Sequence, residues 1–210
     1  MFSASNYVDK VDFAFFFITA ISFALLILIT ILMIYFVFKY NRKKGVKPVN
    51  IHGNTTLEIV WTAIPVLLVI PMFYYGWVGF VEGNNPPKDA IPVKATAQMW
   101  KWTFEYPNGV KTDTMYVPQN RPVKVDLVSI DVNHAFFVPA FRIKRDVVPN
   151  RTNMVWFTSE NTGSFDVACA EYCGLNHAYM YTKVVVLKES DYADWLKVQT
   201  DKMNAAAVTQ

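Results

Sequence analysis

The sequence predicts an α+β membrane protein: a two-helix transmembrane hairpin followed by an extracytoplasmic β domain, a Greek-key barrel or sandwich. Three observations predict it. Residues 13–38 and 59–81 contain no Asp, Glu, Lys or Arg. Directly after the first run, residues 39–47 carry five basic side chains and no acidic one. Beyond residue 92 the long apolar runs give way to short alternating ones.

Each apolar run exceeds the roughly 20 residues that a helix needs to cross a bilayer. Soluble helices of that length normally carry a charged face, so two buried bundle helices are the weaker reading. Pro65 and Pro71 fall inside the second run. Membrane helices tolerate proline when neighbours satisfy the freed carbonyls. The first run is too long for a signal-peptide core, and Asp9, Lys10 and Asp12 precede it. It reads as an uncleaved anchor. Lys39, Arg42, Lys43, Lys44 and Lys47 follow with no acidic residue among them. The positive-inside rule places that connection in the cytoplasm. Both termini and the β domain then lie on the periplasmic side of a bacterial inner membrane, or an equivalent energy-transducing one. The overall charge of +3 resides in residues 1–81, because residues 82–210 hold equal numbers of acidic and basic side chains. The charge reports topology, not a nucleic-acid partner.

Glu82, Gly83, Asn84, Asn85, Pro86 and Pro87 should end the second helix, making 82–91 a linker. Strands are expected at 93–98, 100–106, 123–129, 154–158 and 181–187, rich in β-branched and aromatic residues. Turn signals at Pro107-Asn108-Gly109 and Asn161-Thr162-Gly163 separate them. Residues 123–128 alternate cleanly, so one face should be buried. A helix is expected from Ser190 as cap, with Asp191 in its first turn and Trp195 as anchor, and residues 204–210 as a frayed tail. The organisation is therefore 1–81 hairpin, 82–91 linker, 92–190 β domain and 191–210 helix and tail.

Residues 169–180 read CAEYCGLNHAYM and contain both cysteines of the chain. Thiolate, imidazole and thioether favour copper. A second cysteine four positions on suggests two thiolates shared between two ions. Gly174 and the β-branched run after Met180 argue for a loop between strands, which can wrap several donors around one point. A second imidazole is needed. His134 is the candidate, since His52 lies at the cytoplasmic end of a membrane helix. The apolar residues 135–139 would keep water from it, and Asp131 could hydrogen-bond its second nitrogen. A disulfide between Cys169 and Cys173 would close too short a loop to constrain much and leave His177 and Met180 idle. A Cys₂His₂ zinc site remains open; it would leave only Met180 without a role.

At these residues the chain resembles subunit II of cytochrome c oxidase, the copper-A subunit of haem-copper oxidases. CAEYCGLNHAYM fits that family's C-x-E-x-C-x₃-H-x₂-M motif. DVNHAFFVPAFRIKRDVVPNR resembles its first-histidine segment, residues 100–106 its tryptophan-rich region, and residues 57–65 the start of its second membrane helix. The resemblance implies a cupredoxin-like β domain and a binuclear copper-A centre. The ligands it implies are His134, Cys169, Cys173, His177 and Met180, with Glu171 ligating through its main-chain carbonyl. It implies magnesium at the Glu171 carboxylate on the border with subunit I, a hard cation preferring oxygen. Trp100 would receive electrons from cytochrome c, against its other reading as a packing or interfacial aromatic. Glu58 would stand at the mouth of a proton pathway, against its other reading as a carboxylate favoured by the helix dipole. Further implied partners are haem-copper oxidase subunit I and membrane lipid. No catalytic residue is expected in this chain; turnover would belong to the assembly. Ala170, Lys101 and Arg142 depart from the commonest family pattern. Nitric oxide reductase subunits and copper-binding modules without turnover are the competing readings. Quinol oxidase relatives lack the copper ligands.

Overall fold

The computed structural model describes residues 4–45, 47, 50 and 52–208. It forms two compact units: residues 12–79, and the residues up to Val11 together with those from Phe80 on.

In the first unit run the two apolar helices, α1 (Val8–Lys39) and α2 (Thr55–Asn84), both of which extend into the second. Their 32 and 30 residues rise ~48 and ~45 Å at 1.5 Å per residue, more than a hydrocarbon core of about 30 Å. The most apolar stretch of each is wholly unburied within the protein. Polar groups inside the spans are satisfied locally: Ser22 Oγ donates to Ile18 O and Thr30 Oγ1 to Leu26 O. Phe13 and Phe17 pack edge-on against Tyr75, joining the helices. Pro65 and Pro71 lie inside an unbroken α2.

The helix ends differ from expectation. α1 starts before the charge-free run, because Asp9, Lys10 and Asp12 fall in its opening turns, where charge need not enter lipid. α2 starts four residues early because Asn54 caps it, its Oδ1 accepting the Leu57 N–H at 3.0 Å. At the far end Glu82, Gly83 and Asn84 continue the helix rather than breaking it. The Asn84 and Asn85 side-chain amides donate to the Phe80 and Val81 carbonyls, satisfying its last turn. The irregular linker is therefore residues 85–90, shorter than the 82–91 expected.

The second unit is a two-sheet sandwich. Its strands are β1 (Ile91–Gln98), β2 (Lys101–Glu105), β3 (Lys111–Thr112), β4 (Met115–Pro118) and β5 (Pro122–Ser129). Then follow β6 (His134–Val138), β7 (Ile143–Val147), β8 (Asn153–Thr158), β9 (Gly163–Cys169) and β10 (Tyr181–Leu187). One sheet has the order β3-β2-β1-β5-β8, the other β4-β10-β9-β6-β7. β1–β5 and β4–β10 pair in parallel and the remaining pairs are antiparallel. Val123, Val125 and Leu127 of β5 point inward, as the alternation predicts, and meet Phe104, Phe136, Phe141 and Phe157 in the core.

The terminal helix α3 (Glu189–Val208) runs through the residues expected to fray; Thr209 and Gln210 lie outside the described residues. Trp195 anchors it, stacked on Tyr116 with ring centroids 4.4 Å apart. Ser190 is not the cap. The helix opens one residue earlier, with Lys188 O accepting the Tyr192 N–H, and the Ser190 hydroxyl bonds the Asp191 carboxylate instead.

The N-terminal segment is part of this second unit. Ser5 bridges to Ser159, its hydroxyl donates to Phe141 O, and Tyr7 packs edge-on against Trp156. Lys10 pairs with Glu82 at 2.6 Å.

Candidate metal centre

β9 and β10 are antiparallel neighbours, and the loop joining them carries the donor-rich residues. β6 lies on the other side of β9, with Phe136 opposite Cys169, which brings His134 at the start of β6 to the same end of the sheet. The loop is held at its base by Cys169 N–H donating to Met180 O and Ala170 N–H donating to Ala135 O. A short 3₁₀ turn over His177–Tyr179 folds it back.

All six residues singled out as ligands converge here. Cys169 and Cys173 are free thiols with sulfurs 3.7 Å apart, far beyond the ~2.05 Å of a disulfide. Cys169 Sγ lies 3.7 Å from His134 Nδ1 and 3.3 Å from Glu171 O. Cys173 Sγ lies 3.5 Å from His177 Nδ1 and 3.8 Å from Met180 Sδ. Each sulfur therefore has its own imidazole and one further donor. His134 and Met180 are fully buried, both cysteines nearly so, and His177 sits at the rim. His134, Cys169 and Cys173 have ligand atoms mutually within 4.8 Å, a group that His177 does not join. A single tetrahedral zinc with bonds of 2.0–2.3 Å needs all four ligand atoms within about 4 Å of each other.

The surroundings orient these donors. Asp131 Oδ1 is 2.8 Å from His134 Nε2, as the sequence suggests, leaving Nδ1 to face Cys169. Burial opposes ionisation of Asp131. Hydrogen bonds from the Met99 N–H, His134 and the Val132 N–H outweigh it and hold the carboxyl below its ordinary value. Burial, and then the neighbouring Cys169, push the Cys173 thiol up to about 11. That disfavours a bare thiolate and leaves a cation as the natural source of compensation.

Trp100 is half-buried, and its indole N–H donates to Cys173 O at 3.2 Å. Gly174, at φ +114, lies under the same ring: a Cβ there would come within 3.3 Å of Trp100 Cζ2. Sequence reasoning used Gly174 only as a loop signal and missed this contact. It also missed Lys144, whose ammonium bonds Glu171 Oε1 at 2.6 Å and is pushed up by that carboxylate and Asp146. Glu58 is exposed in the first turn of α2. It lines a groove with Thr55, Ile59, Thr62, Ala63 and Val66.

Comparison with known proteins decides the family. The model of the cytochrome c oxidase subunit II periplasmic domain matches residues 110–188, and that of its transmembrane domain matches residues 2–76. Cytochrome c oxidase subunit 2 of Cereibacter sphaeroides is 30% identical over 235 residues, covering 93% of this chain and 78% of that protein. The chain belongs to the cytochrome c oxidase subunit II family. The periplasmic domain of subunit II (CoxB) of Bradyrhizobium japonicum superimposes with a TM-score of 0.54 at 32% identity, over 56% of this chain and 99% of that one. A second structure of CoxB, a mixed disulfide intermediate with a thioredoxin-like protein, gives 0.51 at 32% identity, over 56% and 96%. The expected fold class stands: two membrane helices and a cupredoxin-like domain. Relatives in the family are subunits of an oxidoreductase.

Proposed function

We propose that this chain is the electron-accepting subunit of a respiratory cytochrome c oxidase. It takes electrons from cytochrome c at a binuclear copper-A centre and passes them to haem in subunit I, where oxygen is reduced. The carrying observation is the pairing of donors around two unbonded thiols: His134 and Glu171 O at Cys169, His177 and Met180 at Cys173.

Copper bound there would supply a one-electron carrier whose charge is spread over two ions, so little rearrangement accompanies its reduction. The protein's part is to hold the donors in place. Asp131 fixes the His134 ring by binding its outer nitrogen. Trp102 and Phe136, packed edge to face beside His134, exclude water. Trp100 supplies a bonded path from the surface of the domain to the Cys173 main chain. Glu171 offers magnesium a half-exposed carboxylate, from which the cation would have to displace Lys144. Glu58, at the start of α2 in a groove lined by two threonines, would receive the protons.

Placement follows the same reading. The N-terminal segment packs within the exported unit, which supports both termini on one side. The charge of the connection supports the periplasm as that side. A related subunit II forms a mixed disulfide with a thioredoxin-like protein. By extension, Cys169 and Cys173 must be kept reduced before metal uptake.

Stopped-flow mixing of the assembled complex with reduced cytochrome c tests the function. The copper absorption should bleach first and haem should follow. Haem reduction with no prior change in the copper bands would overturn the reading, and so would copper uptake without any reduction by cytochrome c.

A further inference from the structure

We infer that the basic turn after α1 is a binding site for the phosphate group of anionic phospholipids. Asn41 accepts the Lys43 N–H on its side chain at 3.0 Å and the Lys44 N–H on its carbonyl at 2.9 Å. Gly45, at φ +64, closes the turn by donating to Arg42 O at 3.2 Å. These bonds fix Arg42, Lys43 and Lys44 on one 3₁₀ turn, directly beyond the end of a membrane-length helix.

All three side chains and that of Lys47 are exposed, and none has an acidic partner among the described residues. This sets them apart from much of the exported domain's charge, where Lys124, Lys144 and Lys183 are each paired. Lys39, one turn back, lies over the rings of Tyr35 and Tyr40 at 5.1 and 5.4 Å. Tyrosines of this kind mark headgroup depth. The free cations thus stand at the height of the lipid phosphates, and one guanidinium and two ammoniums on a fixed turn suit a phosphate monoanion. Orientation alone requires only net positive charge; a capped turn whose cations pair with no carboxylate among the described residues goes further and presents that charge as a site. The inference is independent of the copper reading.

The test uses the full, metal-free chain in phosphatidylcholine bilayers with trace spin-labelled phosphatidylglycerol or phosphatidylcholine. The fraction of immobilised label gives the relative association of the two lipids. Each basic side chain near an anionic surface contributes about fivefold, so phosphatidylglycerol should be preferred about fivefold or more at low salt. The preference should fall towards one in the R42Q/K43Q/K44Q variant and in about 1 M salt. Equal immobilisation of phosphatidylcholine by both proteins shows that the variant's hairpin is inserted. A ratio near one for the native chain overturns the inference, as does a preference unchanged in the variant. Loss of the preference to soluble glycerol phosphate at matched ionic strength would assign the site to free phosphate and equally overturn it.

Discussion

Gly174→Ala is the substitution that most sharply tests how the loop is built. Gly174 sits at φ +114, and a Cβ would come within 3.3 Å of Trp100 Cζ2. A side chain held in such a region costs about 1–3 kcal/mol. Relief of the contact requires the indole to give by a few tenths of an ångström, which stretches the Trp100–Cys173 hydrogen bond and forfeits about 1 kcal/mol more. The total is about 2–4 kcal/mol. For a domain of this size that lowers Tm by about 4 °C per kcal/mol, so calorimetry of the metal-free chain should show the sandwich domain melting about 8–16 °C lower. Gly109→Ala is the control. It too has positive φ, +86, but meets only the end of Met203 at 3.7 Å, on α3. It should cost the strain alone. Reduction by cytochrome c should slow in Gly174→Ala and stay unchanged in Gly109→Ala. A fall in Tm of less than about 2 °C for Gly174→Ala, with unchanged reduction, would refute the claim that ring and loop are packed as one piece.

Three other substitutions probe separate contacts. Trp100→Phe keeps an aromatic ring, though a smaller one, and removes the donor to Cys173 O; reduction by cytochrome c should slow while the copper spectrum holds, and equal rates would remove the bond from the path. Asp131→Asn should weaken copper binding about 10–100-fold, read by competition with a chelator. Because the Asp131 carboxyl lies below its ordinary value in the folded chain, its contribution to stability is complete above about pH 4 and is lost as pH falls through the lowered value. Acid titration of the metal-free domain should therefore be flatter in the variant, and identical curves would contradict the assignment. Tyr7→Ala should destabilise the sandwich unit by about 3 kcal/mol, since Tyr7 is buried against Trp156; an unchanged melt would show the N-terminal segment to be a passenger.

The membrane hairpin was legible because lipid demands long charge-free runs, and those runs cannot be concealed in a sequence. Its ends were not, because Asp9, Glu82 and Asn84 are helical residues for which the interface, not the lipid, is the solvent. Strands with a clean alternation, such as β5, were found. β6 was missed because His-Ala-Phe-Phe-Val is a continuous apolar run that signals burial without period. β3 has two residues, too few to carry a pattern, and β4 ends on a proline. The convergence of His134 on the 169–180 loop was legible because soft donors at loop spacing are rare for any other purpose, and Asp131 followed from its distance to His134 in the chain. The links from Trp100 to Cys173 and from Lys144 to Glu171 span 73 and 27 residues. No local signal reports contacts of that kind.

The central claim is that two sulfurs hold two copper ions as a single electron carrier. Electron paramagnetic resonance of the copper-loaded full chain tests it directly, with metal analysis alongside. One unpaired electron shared equally by two copper nuclei gives a seven-line pattern at two coppers per chain. A four-line pattern at one copper per chain, or a silent chain holding one zinc, would contradict the account.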